Sequence, residues 1–106
     1  MFQMINTIVE KGDAERVIDA AVAAGSPGGT ILNARGSGIH ETSRLFGLEV
    51  EPEKEMVIVV APAEDVQGIV AAIYDALELG EPGNGIIFIQ DVARVRGLYQ
   101  PEPANG

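Results

Sequence analysis

A chain of 106 residues makes one domain with room for a real core, and the absence of cysteine excludes disulfides and thiolate metal sites. Sixteen acidic against seven basic residues leave a net charge of −9, a surface that repels DNA, RNA and anionic lipid and speaks against nucleic acid as a partner. No run of about 18 apolar residues is present to cross a bilayer, and MFQMINTIVEKGD lacks the basic stretch and cleavage site of a signal peptide, so the expected location is cytoplasmic, without membrane insertion.

Taken in chain order, residues 2–10 read as a strand that ends at Lys11-Gly12. A helix is predicted over 13–25, with Asp13 as N-cap, acids in its first turn, Val17, Ile18, Ala21 and Val22 at helical spacing, and Gly25 as C-cap. After the turn SPGG, residues 30–35 form a second strand. Residues 36–54 show no clean period and carry glycines, a proline and many charges, and read as a long loop. EMVIVVAP, residues 55–62, is a third strand whose unbroken apolar centre suits a central position. A second helix over 63–79 carries Val66, Ile69, Val70, Ile73 and Leu77 on one stripe. The glycine-rich GEPGNG then leads into a fourth strand over 85–96, and the Pro- and Gly-rich tail is expected to fray.

The order β-α-β-β-α-β is the ferredoxin-like pattern of the α+β class: a four-stranded antiparallel sheet with two helices on one face and a long loop between the second and third strands. One domain spans residues 1–97, with the loop at 36–54 and a flexible tail at 98–106. Because the strands are apolar nearly throughout, the other sheet face also needs cover, and packing against copies of the same chain would supply it.

Few residues suggest catalysis. His40, the only histidine, lies beside Glu41 in the loop without a visible nucleophile or orienting partner. Asp13, Glu15, Asp19, Glu64 and Asp65 read as caps and solvated faces, and no ligand spacing marks a metal site. Ser37, Thr42 and Ser43 have no triad context, and no Gly-Lys-Ser/Thr follows either glycine-rich stretch. The chain does not read as an enzyme.

Two glycine stretches suggest ligand binding instead. In RGSG, Gly36 and Gly38 would let backbone turn and approach a ligand closely. Gly83-Asn84-Gly85 could equally be a plain turn or a nest of N–H groups for an anion. Arg94 and Arg96 are two apart, so an extended segment would point both guanidiniums to one side, suited either to phosphate oxygens or to salt bridges with the many acids.

With GGTILNARGSG, EMVIVV and GEPGNGIIFIQDVARVRG in place, residues 2–97 resemble the PII signalling family, as a divergent member. Leu79-Gly80-Glu81-Pro82-Gly83-Asn84-Gly85-Ile86-Ile87-Phe88 is similar to the family's glycine loop, and Arg94, Arg96 and Gly97 loosely match its Arg-x-Arg-x-Gly segment. Thr30, Arg35, Gly36 and Gly38 match the stretch before its long T-loop. The resemblance implies a homotrimer with an adenine nucleotide (ADP, AMP or ATP), with or without Mg²⁺, in each cleft between subunits. Base and ribose would rest near Gly29, Thr30, Gly36, Ser37, Gly38 and Val59, with phosphates at the N–H groups of Gly83, Asn84 and Gly85 and at Arg94 and Arg96.

Departures from the pattern shape that expectation. Ile86 stands where the family carries a phosphate-binding lysine, which favours ADP or AMP over a triphosphate. The loop is shorter and holds no tyrosine for uridylylation, and Gly38-Ile39-His40-Glu41 replaces the glutamine used for Mg²⁺ and 2-oxoglutarate. Leu45, Phe46 and Leu48 are expected either to anchor the loop in a partner, a membrane transporter or metabolic enzyme, or to fold back on their own oligomer. Two other classes stay open: a metal-associated ferredoxin-like trimer of the divalent-cation-tolerance type, and a small enzyme using His40 and Glu41.

Overall fold

A computed structural model describes residues 1–36, 43–45, 48–50 and 52–98. Eight elements follow one another: β1 (Phe2–Glu10), α1 (Ala14–Ala23), β2 (Thr30–Arg35), β3 (Ser43–Leu45), β4 (Leu48–Val50), β5 (Glu53–Pro62), α2 (Ala63–Ala76) and β6 (Gly85–Val92). Four strands form one sheet in the order β2-β5-β1-β6, with every neighbouring pair antiparallel. This is the ferredoxin-like arrangement expected from the element order.

Strand alternation divides the sheet into two faces. Ile5, Thr7 and Val9 of β1 lie level with Val59, Val57 and Glu55 of β5. Of these, Ile5, Val9, Val57 and Val59, with Ala61, meet Val17 and Ala21 of α1 and Val66, Ile69 and Ile73 of α2 in one buried cluster. Both helices therefore cover the same face, each through a single apolar stripe.

The opposite face carries Met4, Asn6 and Ile8 of β1, aligned with Val60, Ile58 and Met56 of β5 and with Gln90, Phe88 and Ile86 of β6. No helix covers it among the described residues. Leu32 is 41% exposed, Ile86 57% and Phe88 39%. At its centre Asn6 is buried; its Nδ2 donates to Gln90 Oε1 at 3.2 Å, and its Oδ1 has no hydrogen-bond partner among the described residues.

Three expected boundaries shift, each for a pairing or capping reason. The last strand ends at Val92 rather than at 96, because Val92 pairs with Phe2, the first residue of β1, and β1 offers nothing further to pair with. α2 ends at Ala76 rather than at 79, where the Leu79 N–H donates to Tyr74 O and the Glu78 N–H to Asp75 O, closing the helix with Glu78 at φ +52. The span 36–54 is not loop throughout: β3 and β4 pair as a hairpin, and β5 begins at Glu53 because Arg35 and Glu10 extend β2 and β1 alongside it.

α1 also ends earlier than expected, at Ala23, with Ala24 rather than Gly25 as its C-cap. Gly25, at φ +107, follows Ala24, and the Ser26 N–H donates to Ala21 O at 2.9 Å while the Gly25 N–H donates to Val22 O at 3.0 Å.

Candidate functional site

The residues singled out in the sequence gather at two opposite ends of the sheet. At one end β2 gives way to the loop. The Gly36 N–H donates to Pro52 O at 3.3 Å, closing the loop's neck. Beside it Lys11, Asn33, Arg35, Glu53 and Lys54 line a polar concavity of about 600 Å³. Lys11 Nζ lies 2.6 Å from Glu53 on an exposed surface. The hydrogen bond from Lys11, then its charge, lowers the Glu53 carboxyl below its ordinary value, and the same contact raises Lys11.

The same end holds the glycine turn, since Gly85 opens β6 opposite Val9. Gly83 has φ +88 and Gly85 φ +146, conformations that side chains resist. A Cβ on Gly85 would also run into the Ile8 carbonyl and press on Leu79 and Val9 at 3.2 Å, so this glycine is required by close approach to β1 whatever else it does. Asn84 has a structural duty as well: its Nδ2 donates to Glu78 O at 2.9 Å and Leu77 O at 3.4 Å, satisfying carbonyls at the end of α2. Its N–H reaches Glu81 O at 3.3 Å, a long bond that closes the turn.

At the other end of β2, level with the middle of β1, Gly29 and Thr30 lie beside a small concavity of about 250 Å³, completed by Ile58, Val60 and Leu98. Val59 is not part of it. Its side chain is 1% exposed in the core under the helices, and alternation along β5 presents Ile58 and Val60 in its place. Arg94 and Arg96 lie past the end of β6, outside any strand, along a concavity of about 700 Å³ that includes Phe2, Asp91 and Val95.

The glycine turn and the arginines thus flank opposite ends of β6. The strand is eight residues long, and seven steps at a strand's rise put Gly85 and Val92 roughly 24 Å apart. One protomer does not bring both to a single anion. Ser37, Gly38 and Phe46, with His40 and Glu41, lie outside the described residues. Leu45 and Leu48 face one another across the β3–β4 register, and their side chains too lie outside the description.

Reading the sequence missed Lys11, Glu55 and Leu98. Lys11 meets Glu53 only through the β1–β5 register, which no local pattern announces. Leu98 fell in a segment read as tail. Among the described residues no group of three or more His, Asp or Glu is placed to hold a metal ion, and no helix is long and apolar enough to cross a membrane.

The family model for "Nitrogen regulatory protein P-II" matches residues 2–101. The chain belongs to the P-II family. It is 32% identical over 91 residues to "Nitrogen fixation nifHD region GlnB-like protein 1" of Methanobacterium ivanovii, covering 85% of this chain and 87% of that protein. It is 30% identical over 100 residues to the "Nitrogen regulatory protein P-II" of Cyanidium caldarium, covering 90% and 88% respectively. Such modest identities suit a divergent P-II member. P-II proteins are signalling regulators that act on partner proteins rather than enzymes, which agrees with the want of a catalytic constellation in the sequence.

Proposed function

We propose that this P-II protein is a cytoplasmic homotrimeric sensor that holds an adenine nucleotide in each inter-subunit cleft and regulates a membrane transporter or metabolic enzyme through its loop. The observation that carries the reading is the separation of the glycine turn from Arg94 and Arg96 along β6. A site built from both needs the glycine end of one protomer beside the arginine end of another. The uncovered apolar sheet face, with Leu32, Ile86 and Phe88 exposed, supplies a reason for copies to associate.

The donor set suits a nucleotide on an acidic protein. Positive φ at Gly83 and Gly85 shapes the turn, Gly83 leaves open space where a Cβ would stand, and the two guanidiniums offer paired donors to phosphate oxygens. Gly29 and Thr30, with Ile58 and Val60, provide a small concavity for the base. Ile86 adds no charge: it lies on the uncovered face opposite Ile8, where packing between copies favours an apolar side chain. ADP or AMP is therefore the preferred ligand, with Mg²⁺ a companion of any triphosphate form.

The test is calorimetric titration with AMP, ADP and ATP, with and without Mg²⁺, alongside the mass in solution by light scattering. A trimer that binds ADP or AMP, and loses binding in Arg94→Ala/Arg96→Ala without changing mass, is the expected result. A monomer, or a trimer indifferent to every nucleotide, would refute it.

A further inference from the structure

The segment leaving β6 does not trail away from the sheet. Past Val92 it carries Arg94 and Arg96 beside Phe2, and Leu98 then lines the concavity of Gly29, Thr30, Ile58 and Val60. Ile58 and Val60 lie two strands from β6, so the chain has crossed the end of the sheet to reach them. Gly97, at φ +84, lies at the bend between the arginines and Leu98.

We infer that Leu98 is a specificity-determining residue for the purine base, closing an apolar slot against Ile58 and Val60. This rests on the nucleotide reading above and deepens it. The slot's chemistry has two parts. Ile58, Val60 and Leu98 offer apolar walls suited to the flat face of a heteroaromatic ring. Gly29 and Thr30 offer backbone at the margin of β2, an edge strand whose outward N–H and C=O groups have no neighbouring strand among the described residues. A ring with apolar faces and a hydrogen-bonding rim fits that pairing better than an aliphatic chain, which would leave the backbone groups unmatched.

Chain continuity ties this slot to the phosphates. Arg96 and Leu98 are two residues apart, at most ~7 Å along an extended chain, so one short segment contacts both halves of a nucleotide. Base fit is thereby coupled to placement of the arginines. A ligand whose base seats poorly displaces Leu98 and, through Gly97, the guanidiniums behind it.

The experiment compares ADP with inorganic pyrophosphate, which has the phosphates and no base, on the full chain by calorimetry, with mass followed by light scattering. Leu98→Ala is expected to weaken ADP about ten-fold, a change of about 1.4 kcal/mol. Pyrophosphate affinity and trimer mass should stay unchanged, and Leu98→Met should restore ADP binding. Gly97→Ala, whose Cβ would meet nothing within 4 Å, acts through conformation alone and should weaken both ligands. If wild type binds ADP and Leu98→Ala binds it equally well, the inference falls and the nucleotide reading stands. Equal loss of ADP and pyrophosphate in Leu98→Ala also overturns it, since the residue would then merely hold the segment. A change in mass overturns it in favour of the slot being filled by a neighbouring copy. Wild type that binds pyrophosphate but no nucleotide, or neither, overturns the inference and the nucleotide reading together.

Discussion

Glu55 and Gly12 are joined across the sheet: Glu55 Oε1, on β5, accepts the Gly12 N–H at 2.7 Å just where the chain enters α1. The same oxygen accepts the Ala14 N–H at 3.2 Å. Asp13 occupies the N-cap position but makes no side-chain capping bond there. The acceptor for the helix N-terminus is thus lent by a residue distant in sequence, which locks α1 to β5. Glu55→Ala should cost about 1–2 kcal/mol. In thermal melts that is a drop of several degrees for a domain of this size. Glu55→Gln keeps an acceptor oxygen and should recover most of the loss. A glutamine variant as unstable as the alanine would show that charge, not the bond, matters.

Glu78 ends α2 in the left-handed region at φ +52, a place where glycine normally sits. Its carbonyl is held by the Asn84 side chain, so the turn persists despite the strain on its own backbone. Glu78→Gly should therefore stabilise the protein by about 1 kcal/mol. The check is a denaturant midpoint that rises with no change of slope. A midpoint that falls would mean that the Glu78 side chain contributes more than its backbone costs.

The Lys11–Glu53 pair has a pH signature with a definite sign. Glu53 is lowered by the hydrogen bond from Lys11 and by its charge, so its contribution is present above the carboxyl's unfolded pKa and lost as pH falls through the depressed folded value. Lys11 is raised by the same contact, so its contribution is present below the amine's unfolded pKa and lost as pH rises through the raised folded value. Between these limits the contribution is flat, and both groups are exposed, so salt screens it. Lys11→Met should melt slightly below wild type at neutral pH and low salt. The difference should vanish in strong acid and at high salt; one that survives acid would exclude the ion pair as its source.

Much of this architecture was legible. The apolar run of 2–10, the Val66–Ile69–Ile73 stripe and the left-handed Gly25 all act locally, through alternation, helical period and the turn; β1 formed with its expected bounds, while both helices formed in place and ended two or three residues short. What local rules could not reach were features decided by pairing. β6 stops at Val92 because β1 stops at Phe2, and Glu55 caps α1 because the β1–β5 register carries it there. The inward turn of Val59 and the outward turn of Ile58 and Val60 follow the same alternation, but their phase depends on which face the helices cover. The glycine turn and the arginine pair were visible as patterns. Their placement at opposite ends of one strand required knowing that the chain between them stays straight for eight residues.

β1 and β5 are the two strands with a partner on each side, and the partners of β1 are β5, complete at residue 62, and β6, complete at residue 92. During synthesis β1 is finished at residue 10, and the chain must grow by 82 more residues before its second edge is matched. At roughly 5–20 residues per second that is about 4–16 s in which an apolar strand edge stays open on the nascent chain. Closure of the sheet thus waits for β6, the last of the described elements. Premature termination between Ala76 and Gly85 would release a polypeptide with both helices and three of the sheet's four strands but an unguarded edge on β1, poised for pairing with another such fragment.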